Sequence, residues 1–139
     1  MSMDNKKRMK VNVLGAEYTI EFSNEIDDTK LIGTDGYCDF STHKIVISDL
    51  DSQKTAFDME DLDSYERKVI RHEMIHAFLE ESGLSCYSHD ETIVDWFAIQ
   101  AEKIFTQFVA AGVMKVDFGN VITDGSINLS PKEGDCIDI

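Results

Sequence analysis

The chain has 139 residues, enough for one domain with a modest core and too few for two. At 42% hydrophobic and 9% aromatic it has the composition of a folded globular protein. With 27 acids against 13 Lys plus Arg, the formal net charge is -14; phosphate backbones would repel such a chain, which excludes nucleic acid as a natural partner.

The first fifteen residues carry a basic cluster with no apolar run behind it, so they do not read as a signal peptide, and no stretch is long enough to span a bilayer. The expectation is a cytoplasmic protein without a membrane partner. Cys38, Cys86 and Cys136 are odd in number and far apart, a poor disulfide framework, and read as three reduced thiols.

In chain order, residues 10–22 read as an extended segment broken near Gly15, with Tyr18, Ile20 and Phe22 alternating against Thr19 and Glu21. A polar stretch ends in the Asp35-Gly36 turn signal. A hairpin follows, with strands near Tyr37 to Phe40 and Lys44 to Ser48 and a turn over Ser41 to His43. The next predicted element is a helix, with Asp63 and Glu66 as a capping box and Gly83 as its stop. Its apolar band (Val69, Ile70, Met74, Ile75, Ala77, Phe78, Leu79) is too wide for a surface helix and makes it central. A second helix runs from about Asp90 to Ala111, with Ile93, Phe97, Ala101, Ile104 and Phe108 as its buried stripe and Trp96 as a core anchor. Ser88 and Glu91 form a capping box at its start. Residues 116–139 read as an extension with a hairpin at Asp124-Gly125 and an acidic end.

The first helix contains His72-Glu73-Met74-Ile75-His76. Histidines at i and i+4 share one helical face, about 6 Å apart along the axis, and can grip one Zn²⁺ at about 2.0–2.1 Å. Glu73 is turned away by about 100° and is placed to take a proton from a metal-bound water. In a shuffled chain of this composition the motif arises in under roughly one case in a hundred. Burying these three groups for no purpose would also carry a desolvation cost. A third ligand must come from elsewhere, and Glu91, Asp95 and His89 are the candidates. Against each stands a bland role: a first-turn acid for Glu91, an acid orienting one of the histidines for Asp95, a loop residue for His89. The metzincin extension needs Gly at 79 and His at 82; Leu79 and Ser82 exclude it.

The segment from Arg71 to Leu84, followed by Glu91-Thr92-Ile93-Val94-Asp95-Trp96-Phe97-Ala98, resembles the small HExxH metallopeptidases of the ImmA/IrrE type, and more closely short phage-encoded metallopeptidases. In that group the second helix reads E-x-x-A-N-x-F-A and its glutamate is the third zinc ligand. The resemblance covers about residues 36 to 105 and implies one Zn²⁺ held by His72, His76 and Glu91, with Glu73 as general base. Val94 and Asp95 depart from the family's Ala and Asn, and no regulatory domain of the kind some members carry is visible. In zincins the hairpin before the active helix supplies an edge strand for the substrate; the resemblance gives that role to residues 44–48, whose Ile45 and Ile47 also suit a core. For a donor to a developing oxyanion, Tyr37, His43, Tyr87 and His89 remain open; Cys38 reads as a buried small hydrophobe.

The expectation is therefore an α+β, zincin-like minimal domain over residues 1–115, with a small sheet packed on the central HExxH helix and a second long helix. Its function would be a zinc-dependent peptidase acting on a peptide or protein, such as a specific regulator. The rivals are a non-catalytic, zinc-stabilised binding module and a metal-dependent hydrolase of another substrate class.

Overall fold

The computed structural model describes residues 8–49 and 61–117. The expected hairpin at Asp124-Gly125 and the acidic end lie outside the described residues. The chain forms β1 (Met9–Val13), β2 (Ala16–Ser23), a 3-10 turn (Thr29–Leu31), β3 (Gly36–Asp39), β4 (Lys44–Ser48), α1 (Leu62–Glu81), the single-turn α2 (Ser85–Ser88) and α3 (Glu91–Ala110). This is an α+β arrangement.

The break at Gly15 is a two-residue hairpin loop. Leu14 and Gly15 both have positive φ, as the tight turns matching strand twist require, and Asn12 Oδ1 accepts from the Gly15 amide at 2.7 Å. The sheet order is β1-β2-β4-β3, with β2 and β4 parallel and the two outer pairings antiparallel. The strand Lys44–Ser48 is thus internal, which corrects its assignment as the edge. The reason is compositional: Ile45, Val46 and Ile47 are apolar without alternation and all buried, the pattern of a strand covered on both faces. The edge beside α1 is β3. The Ser48 amide donates to the Asp35 carbonyl at 2.8 Å, so hydrogen-bonded pairs continue at Tyr37–Val46 and Asp39–Lys44. Gly36 and Cys38 therefore turn their backbone groups away from β4.

One face of α1 packs on the sheet. Val69, Glu73, His76 and Ala77 are its buried residues, and Val69 and Ala77 join Val13, Tyr18, Ile20, Ile45 and Ile47 in the core. Asp61, not Asp63, caps the helix, accepting from the Ser64 amide at 2.9 Å. Gly83, at φ 79°, ends it as the sequence implies.

Helix α3 is turned by about one residue from the expected stripe. Val94, Ala98 and Ala101 are buried, while Ile93, Phe97 and Phe108 are exposed and Ile104 is half-buried. Small side chains let α3 approach α1 closely enough for Arg71 Nε to reach the Ala98 carbonyl at 2.8 Å. Trp96, expected as a core anchor, is 56% exposed. The displaced Phe97 and its neighbour Phe105 line an apolar cavity of about 400 Å³ with Met74, Phe78 and Ile93.

Candidate metal centre

The motif's spacing acts as the helix geometry requires. His72 and His76 stand one turn apart on α1 with their Nε2 atoms 3.2 Å from each other. Glu91, in the first turn of α3, brings Oε2 to 2.9 Å from His72 Nε2 and Oε1 to 3.2 Å from His76 Nε2. Asp90 makes this reach possible by starting α3 at that point: its side chain accepts from the Thr92 and Ile93 amides at 3.1 and 3.2 Å. The expected Ser88–Glu91 capping box is replaced by this cap, because Ser88 belongs to α2 and faces His76.

The far ring nitrogens each meet a partner. His72 Nδ1 lies 3.2 Å from Asp95 Oδ1. Lys68, 2.9 Å from the same oxygen, holds that carboxyl below the usual carboxylate range, so Asp95 accepts and His72 Nδ1 donates. His76 Nδ1 lies 3.3 Å from Ser88 Oγ, whose hydroxyl proton goes to the His76 carbonyl at 3.3 Å. Ser88 Oγ can then only accept from His76. Burial keeps His76 below the ordinary imidazole range, hence neutral near pH 7. With each Nδ1 engaged by Asp95 or Ser88, the two Nε2 atoms and the Glu91 carboxylate are left facing one spot.

In the neutral form of both rings the Nε2 atoms present lone pairs to a carboxylate, and three acceptors with no proton between them repel one another. A cation at their apex removes the conflict, and the distances suit one: ligands at about 2.0–2.1 Å in tetrahedral array stand about 3.3 Å apart. The donor set, two imidazoles and a carboxylate, suits zinc. His72, Glu73 and His76 also offer ligand atoms within 4.8 Å of one another.

Glu73 lies on the sheet side of this apex, 7% exposed. Burial pushes its carboxyl up to about 7; His72 opposes that rise and Glu91 adds to it. Gly36 makes room for it, since a Cβ there would stand 3.3 Å from Glu73 Cγ and 3.0 Å from the Val46 carbonyl oxygen. Between β3 and the converging side chains opens a cavity of about 370 Å³, whose walls include Gly36, Tyr37, Cys38, Glu73, His76, His89 and Glu91.

The structure thus brings together His72, Glu73, His76 and Glu91. Asp95 meets the far side of His72 rather than the apex, and His89 stands at the cavity wall while Glu91 meets the Nε2 atoms. Of the other candidate donors, Tyr37 gives its hydroxyl to Asp28 at 2.5 Å, and His43 stacks on Tyr18 and faces Glu81. Tyr87 is 51% exposed on α2. Cys38 packs against the core, and burial, reinforced by the Glu73 charge, pushes its thiol up to about 12.

Comparison with known protein families, curated proteins and solved structures gives no significant match.

The likeness to the ImmA/IrrE type therefore stands on its motif residues alone. Ser88, Lys68 and Gly36 were not singled out for the site from sequence. No local pattern marks them: Ser88 meets His76 only because the chain reverses after Gly83, and the role of Gly36 depends on pairing with β4. Among the described residues, no helix is long and apolar enough to cross a membrane.

Proposed function

We propose that this chain is a zinc-dependent peptidase of the HExxH type. The observation carrying the reading is the convergence of the His72 and His76 Nε2 atoms and the Glu91 carboxylate within 2.9–3.2 Å of one another. His72, His76 and Glu91 would hold one zinc ion, with Asp95 and Ser88 fixing the two rings through Nδ1. When bound, zinc lowers the pKa of a coordinated water to about 7 and polarises a facing carbonyl.

The chain's own groups supply the rest. Glu73, raised into the neutral range by burial, takes the proton from the attacking water and passes it to the leaving amine. The outward backbone groups of Cys38 on β3 pair with an extended peptide and lay it across the cavity. The Gly36 carbonyl is occupied by Thr34 Oγ1 at 3.0 Å, which limits that pairing to the far end of the strand. Tyr37 and His89 both stand at the cavity wall, and with the Tyr37 hydroxyl given to Asp28, His89 is the one that can donate to a developing oxyanion.

Metal analysis of purified wild type beside His72→Ala tests the site, and Glu73→Gln tests the chemistry. One zinc per chain is expected in wild type and in Glu73→Gln, and none in His72→Ala. Cleavage of a casein digest, followed by mass spectrometry, should occur with wild type and vanish with Glu73→Gln. A zinc-loaded wild type that leaves every peptide intact would favour the non-catalytic binding module instead.

A further inference from the structure

A second cavity, of about 490 Å³, adjoins the candidate metal centre on the α3 side; His72 and Glu91 wall both. Its remaining walls are Thr92, Asp95, Trp96 and Ile99. Thr92, Trp96 and Ile99 follow one another at i, i+4 and i+7, so they form a single stripe on α3 beside the Glu91/Asp95 stripe. Trp96 is 56% and Ile99 46% exposed. An indole left in water forfeits a large apolar burial, and an exposed pair of large apolar side chains next to a polar centre marks a contact surface.

Two other exposed aromatics of α3 behave differently. Phe97 and Phe105 turn into the apolar cavity shared with α1, where the charged wall residue, Arg71, is already tied to Ala98 and Glu102. Trp96 and Ile99 share their cavity with the residues that converge on the apex. Because His72 and Glu91 wall both cavities, a side chain seated there adjoins whatever the apex holds.

We infer that the Trp96–Ile99 cavity is a specificity subsite that accepts a bulky apolar side chain, aromatic or branched aliphatic, next to the scissile bond. The inference rests on the peptidase reading. The indole supplies a face for stacking and Ile99 a methyl-rich floor, while the carboxylates of Glu91 and Asp95 at the rim repel an acidic side chain. Trp96 acts by contact with substrate and has no part in holding metal.

The chain's single tryptophan makes the test direct. Zinc-loaded protein is titrated with acetohydroxamate and with two hydroxamates bearing a benzyl group one or two carbons from the metal-binding head. Affinity is read by calorimetry and burial of Trp96 by its emission. At least one benzyl compound should bind about tenfold tighter than acetohydroxamate, equivalent to about 1.4 kcal/mol, and shift the emission to the blue. Trp96→Ala should abolish that preference while leaving acetohydroxamate affinity and melting temperature unchanged, and Trp96→Phe should restore most of it. Benzyl compounds that bind no tighter than acetohydroxamate, or a preference that survives in Trp96→Ala, overturn the subsite and leave the metal centre standing. A protein that takes no zinc and binds none of the three overturns the peptidase reading, and the subsite with it.

Discussion

Helices α1 and α3 are each 20 residues long and pack against each other, yet they treat their side chains in opposite ways. On α1 two polar groups turn inward: Glu73, 7% exposed, toward β3, and His76, 9% exposed, toward Ser88 of α2. On α3 the large apolar groups turn outward, and its gift to the site is Glu91, whose side chain is 67% exposed. The inner helix holds the two histidines and Glu73, the proposed ligands and base, in one frame; the outer helix adds a carboxylate that water still reaches. The difference teaches that the apex is built on α1 and completed by α3.

The contrast breaks most easily at the ligands. His76→Ala should lower zinc affinity by more than about 100-fold, beyond the range of lost supporting contacts. Glu91→Ala should cost less, about 10- to 100-fold, because solvent can enter its place. Competition against a chelating dye measures both. Equal losses would mean that α3 is as firmly fixed as α1, and an unchanged Glu91→Ala would pass the third position to Asp95 or His89.

The buried base gives the next effect, confined to metal-free protein because a cation at the apex would lower its pKa. The folded value of Glu73, about 7, lies above its ordinary 4.5. Below about pH 4.5 both folded and unfolded states are protonated and Glu73 contributes nothing. As pH rises toward 7 the unfolded chain ionises first, so the folded state loses stability, and above 7 the loss is complete. At 1.36 kcal/mol per unit this amounts to about 3 kcal/mol at most. Urea unfolding with chelator present should therefore show Glu73→Gln gaining on wild type between pH 4.5 and 7, then holding level. Parallel curves would place Glu73 in water.

Asp95→Asn tests the support given to His72. The amide no longer guarantees an acceptor at Nδ1, and zinc affinity should fall about tenfold, with the Lys68 partnership lost as well. Affinity equal to wild type would reduce Asp95 to a surface partner of Lys68.

What could be read in the chain itself divides along the same line. The α1 site follows from spacing, because i and i+4 share a face whatever the tertiary structure. The stop at Gly83 and the strand 44–48 were equally local signals. The rotation of α3 was not. Ile93/Phe97/Ala101/Phe108 and Val94/Ala98/Ala101 both carry helical periodicity, and bulk favours the first. Close approach to α1 selects the second, so that Glu91 and Asp95 can reach the histidines. Likewise the edge strand is decided by the parallel pairing of β2 with β4, a contact between distant segments that no local pattern announces.

Gly36 is the smallest expected effect and the most local test of how closely the sheet holds the inner helix. Its missing Cβ would stand 3.0 Å from the Val46 carbonyl oxygen, 3.2 Å from Ile47 Cδ1 and 3.3 Å from Glu73 Cγ. The Ile47 methyl can swing aside, but the carbonyl belongs to the neighbouring strand and moves only with the β3–β4 pairing. Gly36→Ala should thus cost about 1–2 kcal/mol, a melting point lower by about 4–8 °C. The displacement should also fall on Glu73, so any hydrolysis should drop further than zinc affinity, which depends on His72 and His76 on the adjacent face of α1. A Gly36→Ala protein that melts and hydrolyses like wild type would show that Glu73 does not press against β3, and that α1 keeps its base in place without the sheet.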